Sequence, residues 1–212
     1  MNEALSTLFP RLIRCFAPRY LPWHVLAIGL TAAIVLSGLD WKWFIVTQGV
    51  YRLFFAAAVL GFLVPVFVPL GILISGKRRK DAERVRAAWM LAQAELVGLL
   101  LSFVYKAFTG RIQPNLHDYV RDISHGFNFG ILRHGVFWGW PSSHTTVAFA
   151  MAAALAAYHP HLRRMRFLVF VYAALIGIGV SMSIHWLSDA VAGVVFGVIA
   201  GTVVGRAYAN SR

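Results

Sequence analysis

Two histidines and an aspartate in the C-terminal half of the chain have the residue types and spacing for phosphoryl transfer. His185 and Asp189 are four residues apart, so on a helical turn they share one face. There the carboxylate can fix the tautomer of the imidazole and raise its basicity. His144 could then give a proton to a departing alkoxide. We therefore expect His185, Asp189 and His144 to be the catalytic residues of one site.

Residues that could hold a phosphate lie in two further stretches. Lys106 and Arg111 supply positive charge for phosphate oxygens, and arginine favours bidentate contact. Ser142 and Ser143 follow Pro141 at the expected start of a helix, where free backbone N–H groups and the helix dipole favour an anion. Alone, a lysine at a span end can be an interfacial anchor, and serine after proline is a common helix start. The combination with the histidines is what predicts a phosphate site.

The composition indicates that lipid surrounds most of the elements that carry these residues. Of the 212 residues, 59% are hydrophobic and 13% are charged, whereas a soluble domain has about 25% charged residues. The hydrophobic residues form long blocks, and about 20 apolar residues make a helix that crosses a bilayer. We predict an all-α fold, a six-transmembrane-helix bundle that forms a single domain over residues 1–212. The spans are expected near 24–39, 51–75, 87–108, 142–158, 166–184 and 187–207, preceded by an interfacial segment over 1–23.

Charge asymmetry predicts how this bundle is oriented. Fourteen of the 20 Lys and Arg residues fall on the N-terminal side of the predicted spans, and six fall on the other side. The positive-inside rule then places both termini in the cytoplasm and the protein in a bacterial-type inner membrane. The long loop 109–140, between spans three and four, is expected to be extracytoplasmic. All three stretches with candidate site residues then meet at that outer face.

Charge and cysteine content exclude other classes of protein. The net charge is +12, but no basic stripe is interleaved with base-stacking aromatic residues outside the apolar spans, so we expect no nucleic-acid partner. The positive charge instead suits anionic lipid head groups, and the bilayer is the expected partner. Cys15 is the only cysteine, which excludes an internal disulfide and a thiolate metal cluster. Its expected role is structural.

Residues 105–193 resemble the type 2 phosphatidic acid phosphatase superfamily, a group of lipid phosphate phosphatases related to vanadium haloperoxidases. That family has three signatures, K-x6-R-P, P-S-G-H and S-R-x5-H-x3-D. The resemblance implies a helical-bundle core and a reaction without a metal or other cofactor. The matching residues here are Lys106, Pro114, Pro141, Ser142, His144, His185 and Asp189.

The resemblance also implies a role for each matching side chain. His185 would be the nucleophile that forms a phosphohistidine, Asp189 would orient it, and His144 would be the acid. Lys106 and Ser142 would hold the phosphate, together with backbone N–H groups of the first helical turn.

Four positions depart from the family signatures, and one of them is Ile178, which stands at the motif serine of the third signature. Gln113 stands where the first motif arginine is expected, and Arg111, two residues earlier, is the obvious replacement. Gly179 stands at the second motif arginine, and Ser143 replaces the motif glycine. Guanidinium groups stabilise charge in the transition state, so we expect other cations to compensate. The expected phosphate-binding set is Lys106, Arg111, Ser142, Ser143, Gln113 and Arg133, with Arg121, His125 and His134 as further candidates.

These features together predict an integral membrane phosphatase that hydrolyses a lipid phosphate or diphosphate at the outer membrane face. Undecaprenyl diphosphate, phosphatidylglycerol phosphate, phosphatidic acid and lipid A phosphates all suit a site at head-group depth. Transfer of the phosphoryl group to another lipid uses the same chemistry and stays open as an alternative. A non-catalytic lipid-phosphate binder or transporter is the alternative from a different class. The two histidines and Asp189 favour catalysis, because binding alone needs no nucleophile.

Overall fold

The computed structural model describes residues 6–114, 121–133 and 135–211, and these residues are mostly helical. No β-strand occurs within the described ranges, although Arg111 and Phe127 form an isolated bridge. The predicted all-α class is confirmed. The helices are α1 (Leu8–Arg14), α2 (Leu21–Leu36), α3 (Leu39–Thr47), α4 (Tyr51–Arg78), α5 (Ala82–Thr109), α6 (Ser143–Tyr158), α7 (Arg163–Ser181) and α8 (Leu187–Ala209).

Five helical segments of the described chain are long and apolar enough to cross a membrane, as a multi-pass membrane protein requires. The predicted span 142–158 corresponds to α6, which has 16 residues. A helix of that length rises about 24 Å, less than the hydrocarbon thickness of about 30 Å. The count of six spans and the side on which the loop 109–140 lies therefore stay predictions. The five segments are Pro18–Leu36, Leu39–Arg78, Ala82–Thr109, Arg163–Ser181 and Leu187–Ala209.

Residues 40–49, which lie between the first two predicted spans, are largely helical. α2 ends at Leu36, the chain turns at Gly38 in a left-handed conformation with a φ of 70°, and α3 begins at Leu39. α3 contains no glycine or proline to interrupt it, and a short 3-10 turn joins it to α4. The consequence for the site is that Asp40 lies in the first turn of a helix, where it is fully buried.

Small residues let α6 and α8 pack at backbone distance in the centre of the bundle. A Cβ atom placed on Gly197, Gly201 or Gly205 of α8 would lie only 2.5, 2.1 or 2.5 Å from a backbone oxygen of α6. Small residues at intervals of four are a recurring means of close helix association in membranes. This packing holds the start of α6 against the start of α8, which is where most of the candidate site residues lie.

The segment expected at the membrane interface packs against the bundle through the turn after α1. Cys15 is fully buried there, its thiol donates a hydrogen bond to the Arg11 carbonyl at 3.4 Å, and burial raises the pKa of Cys15 to about 12. The carbonyl of Cys15 also lies 2.9 Å from Nε2 of the buried His24. A thiol that stays protonated and enclosed in this way contributes packing and not chemistry.

Candidate active site

The end of α5, the start of α6 and the connection between α7 and α8 surround a cavity of about 470 Å³. These are the three stretches in which the sequence placed its candidate residues. The antiparallel course of the helices and the close packing of α6 on α8 bring them together. Polar side chains that line the cavity include Lys106, Gln113, Ser143, His144 and His185.

His185 lies between α7 and α8, and only 6% of its surface is exposed. Its backbone N–H donates to the Val180 carbonyl at 2.9 Å, which fixes the turn. Its Nδ1 lies 3.3 Å from Oδ2 of Asp189, so Nε2 is the ring nitrogen left for chemistry. Burial lowers the pKa of His185, and the hydrogen bond with Asp189 acts in the opposite direction without reversing the shift. The imidazole is therefore neutral near pH 7, as a nucleophile must be.

His144 stands beside His185 in the cavity wall. It lies in the first turn of α6, and its ring centroid is 6.0 Å from that of His185, with the two ring planes inclined at 62°. This distance lets both imidazoles reach the same phosphoryl group. Within the described part of the chain, Nδ1 of His144 is buried without a hydrogen-bond partner. A ring with an unused nitrogen is free to exchange a proton with a ligand.

Lys106 and Gln113 provide donors at the same cavity. Lys106 is 2% exposed, and among the described residues its Nζ donates one hydrogen bond, to the Phe137 carbonyl at 3.0 Å. An ammonium group has three donors, so two remain for a ligand. Nε2 of Gln113 lies 3.3 Å from the Gly139 carbonyl, while its Oε1 is buried without a partner among the described residues. A neutral amide thus occupies the place where the sequence comparison expected a cation.

The start of α6 adds backbone donors to the site. Ser142 is its fully buried N-cap, with Oγ accepting a hydrogen bond from the Thr145 N–H at 3.4 Å. The N–H of Ser142 donates to the carbonyl of Asp189 at 3.0 Å, which joins the starts of α6 and α8. The Oγ atoms of Ser143 and Ser102 share a hydrogen bond of 2.9 Å. The amides of Ser143 and His144 have no acceptor inside a helix that begins at Ser143, so they can bind an anion.

Arg111 lies behind Asp189, and it is not part of the cavity lining. Its Nη1 donates to Oδ1 of Asp189 at 2.5 Å and its Nη2 to Oδ2 of Asp40 at 2.7 Å, and these side chains are fully buried. Its Nε donates to the Ser124 carbonyl at 3.0 Å. One face of the guanidinium lies 4.6 Å from the ring centre of Phe127. Arg111, expected to replace a phosphate-binding arginine, thus contacts the carboxylate next to His185.

Asp40 and Ser188 complete this buried group, and sequence reasoning missed both. Oδ1 of Asp40 accepts the backbone N–H of Ser188 at 2.8 Å, and Oδ2 accepts the Ser188 hydroxyl at 2.6 Å. The same hydroxyl oxygen accepts a hydrogen bond from Arg111 at 2.7 Å. A signal for Asp40 was present in the sequence. A carboxylate at the end of an apolar span is costly unless it is paired or functional.

The other cations considered as replacements lie away from the cavity. Arg133, Arg121 and His125 are exposed in the loop between α5 and α6, and none of them lines the cavity. His125 instead lies 3.8 Å from the carboxylate of Asp122. His134 lies outside the described residues. Among the described candidates, Lys106 is therefore the cation that the structure brings to the cavity.

Apart from Glu95, the remainder of the cavity wall is apolar, and it leads along the gap between α4 and α5. Phe62, Val66 and Phe103 are part of this wall. A second cavity of about 280 Å³ shares Pro65, Val66 and Glu95 with the first and continues in the direction of Trp89. An apolar channel that begins at a group of phosphate-binding donors suits an amphiphile with a charged head and a hydrocarbon tail.

Comparisons with known proteins agree with this arrangement. The family model described as PAP2 superfamily matches residues 86–212, a range that includes Lys106, His144, His185 and Asp189 but not Asp40. No curated protein matches the chain. Among solved structures, the chain is similar to the transmembrane PAP2 type phosphatidylglycerolphosphate phosphatase from Bacillus subtilis, with a TM-score of 0.55 and 16% sequence identity. That similarity covers 87% of this chain and 92% of the other, and at such identity it concerns the fold.

Proposed function

This chain belongs to the PAP2 superfamily, and from that premise we propose that it hydrolyses a lipid phosphate or diphosphate through a phosphohistidine formed on His185. One observation carries the proposal. The neutral imidazole of His185 is held through Nδ1 by Asp189 and borders a cavity that also contains His144 and Lys106. A nucleophile, an acid and a cation therefore surround a space large enough for a phosphoryl group.

In the first step Nε2 of His185 attacks phosphorus, and the bond between phosphorus and the leaving oxygen breaks. For a monoester the leaving group is the lipid alkoxide, and for a diphosphate it is the lipid monophosphate. His144 gives its proton to that oxygen. Asp189 stabilises the positive charge that develops on the ring of His185.

In the second step water attacks the phosphohistidine. His144, now neutral, takes a proton from the water as the nitrogen–phosphorus bond breaks. Inorganic phosphate leaves, and His185 regains its neutral form. The same intermediate would donate to a lipid hydroxyl in a phosphotransferase, so adding a candidate acceptor lipid to the assay distinguishes the two outcomes.

Negative charge on the phosphoryl oxygens is held by a smaller set of groups than the sequence predicted. Lys106, the side-chain amide of Gln113 and the first-turn amides of Ser143 and His144 all border the cavity. Ser142 acts on this set indirectly, because it caps α6 and so orients those amides. In this arrangement Arg111 and Arg133 contribute no direct contact to phosphate.

The apolar channel between α4 and α5 is the support for a lipid substrate. Phe62 and Val66 are 66% and 43% exposed on α4, so the channel wall borders the face that lipid covers. A substrate could enter sideways from the bilayer with its tail in the channel and its phosphate at Lys106. From the positive-inside count we propose that this head-group site faces the extracytoplasmic leaflet of the inner membrane. Phosphatidylglycerol phosphate, phosphatidic acid, undecaprenyl diphosphate and lipid A phosphates fit this description.

Phosphate release from these four lipids, measured on the purified protein in detergent micelles with EDTA present, tests the proposal. We expect turnover of at least one lipid by the wild type. His185→Ala should abolish turnover, and the matched control His161→Ala, at an exposed histidine before α7, should retain it. Acid-labile, alkali-stable radiolabel on the wild type alone would identify the phosphohistidine. Lipid binding without turnover of any of the four would instead support a binder, and turnover by His185→Ala would exclude the mechanism.

A further inference from the structure

Asp40 and Arg111 form a fully buried ion pair directly behind the catalytic carboxylate, and neither lines the cavity. We propose that they act as a positioning pair, in which Asp40 neutralises Arg111 so that the negative charge of Asp189 remains available to His185. This inference rests on the proposed function, and it assigns a role to a residue of α3, outside the range that matches the family.

The geometry of Arg111 leaves it no donor directed at the substrate. Nη1 is used by Asp189 and Ser188, Nη2 by Asp40 and the Ser124 carbonyl, and Nε by that same carbonyl. A phosphate would have to displace one of these buried acceptors. The guanidinium is therefore committed to the carboxylates, and its effect on catalysis passes through Asp189.

Charge balance shows what Asp40 adds. Arg111 and Asp189 alone would be a neutral pair beside His185, and the carboxylate would do little to stabilise a positive imidazole. With Asp40 the buried group carries two negative charges and one positive charge. The net charge of −1 favours the positive ring that forms when His185 attacks phosphorus.

Asp40 also fixes the position of Asp189. Its Oδ1 accepts the backbone N–H of Ser188, and its Oδ2 accepts the hydroxyl of the same residue. Ser188 is in the first turn of α8, next to Asp189. The carboxylate of α3 therefore satisfies a free amide at the helix start and holds the turn that presents Asp189 to His185.

The charged and titratable groups that face His185 come from each element packed around it. Asp189 of α8 contacts the ring directly, Lys106 of α5 and His144 of α6 face it from the cavity, and Arg111 acts from behind Asp189. Lys106 and Arg111 both lower the pKa of His185, and Asp189 raises it. Loss of the negative charge of Asp40 should therefore lower the pKa of His185, as the two cations do.

The test is the pKa of His185 in full-length protein labelled with ¹⁵N-histidine in detergent micelles, with the signal assigned by its loss in His185→Gln. Asp40→Asn should lower the pKa of His185 by about one unit, as expected for a unit charge about 10 Å away at an effective dielectric constant of about 20. In the phosphatase assay kcat should fall roughly tenfold, because a shift of one pKa unit corresponds to a tenfold change in the stabilisation of the positive ring. The inhibition constant of inorganic phosphate should not change, because Asp40 does not contact the cavity.

The double variant Asp40→Asn/Arg111→Gln separates the charge effect from a structural one. It removes one negative charge and the positive charge that lies between it and His185, so the pKa of His185 should return to the wild-type value or rise above it, and kcat should partly recover. A merely structural role predicts that the double variant is worse than Asp40→Asn. An unchanged pKa of His185 in Asp40→Asn, or no recovery in the double variant, would overturn the proposal.

Two outcomes separate this inference from the proposed function. If the wild type releases no phosphate, the phosphatase proposal fails, and the NMR titration still decides whether Asp40 controls His185. If Asp40→Asn does not give a single monodisperse peak on size exclusion, the double variant, in which no buried cation has lost a carboxylate partner, decides alone. A pKa of His185 at or above the wild-type value in that variant then supports the positioning pair, and a clearly lowered pKa contradicts it.

Discussion

Replacement of Asp189 by asparagine should stop the reaction by reversing the tautomer of His185. One carboxylate oxygen accepts from Arg111, and the other lies 3.3 Å from Nδ1 of His185. An asparagine would turn its amide oxygen to Arg111, a donor, and its NH₂ group to His185. Nδ1 would then have to accept, the proton would move to Nε2, and the nitrogen that we propose attacks phosphorus would be blocked.

The magnitude follows from the lost charge. A carboxylate 3.3 Å from a positive imidazole contributes about 5 kcal/mol at an effective dielectric constant of about 20. Since about 1.4 kcal/mol corresponds to a tenfold change in rate, kcat should fall by about 10³- to 10⁴-fold. A comparable loss accompanies the equivalent change in serine protease triads. KM should change little, because Asp189 does not line the cavity.

The assay is inorganic phosphate release from lipid micelles, with kcat and KM determined separately. Asp81→Asn is the matched control. Asp81 caps the opposite end of α5 by accepting the Arg84 N–H, and asparagine caps a helix equally well. The control should retain wild-type kcat. A kcat of Asp189→Asn within tenfold of the wild type, in a variant that elutes as the folded protein does, would refute the tautomer argument.

Three further predictions follow from the same geometry. The lowered pKa of His185 places the acid limb of kcat/KM below pH 6.5, and an acid limb with its midpoint above pH 6.5 would contradict this. Stability should decline as the pH falls below 6.5, because the unfolded chain binds a proton there first, and thermal unfolding as a function of pH measures this. Lys106→Met should raise the inhibition constant of inorganic phosphate roughly 10- to 100-fold through loss of a charged hydrogen bond, whereas Lys42→Met, at an exposed lysine of α3, should leave it unchanged. Gly201→Ala should lower the free energy of unfolding by about 1–3 kcal/mol, because its Cβ would lie 2.1 Å from a backbone oxygen of α6. The control Gly71→Ala, where nothing lies within 4 Å of the added Cβ, should leave the free energy of unfolding unchanged. Thermal unfolding in detergent measures the difference.

The helices could be predicted because apolar blocks of membrane length have few alternatives to helix. Their ends were harder to place. α4 continues to Arg78 and α5 starts at Ala82, beyond the predicted limits, because a helix need not stop where the hydrocarbon ends and basic side chains can extend to the interface. The helix over Leu39–Thr47 was missed since its tryptophans and charges resemble those of an interfacial loop.

The part of the candidate site that depends on the direction of the helices could be predicted from the sequence. Lys106, His144 and His185 lie at the ends of successive spans, so alternation along the chain brings them to one cavity. The position of Arg111 is different in kind. It depends on a carboxylate 71 residues earlier in the chain, and no local pattern links the two positions. Spacing therefore predicted Arg111 to be a phosphate ligand. Spacing shows that a positive charge lies near the site, but it does not show which buried acceptors compete for that charge.

The net charge of the buried group distinguishes a functional role of Asp40 and Arg111 from a purely structural one. Removing ions from water costs several kcal/mol for each, and a buried ion pair can often be replaced by apolar residues with no loss of stability. Stability alone therefore gives little reason to keep a guanidinium and two carboxylates at 0% exposure. The charge that this group leaves unneutralised lies on the side where the ring of His185 becomes positive in the proposed reaction. A network built only to join α3 to α8 could be neutral, whereas one that increases the basicity of His185 must be negative, as this one is.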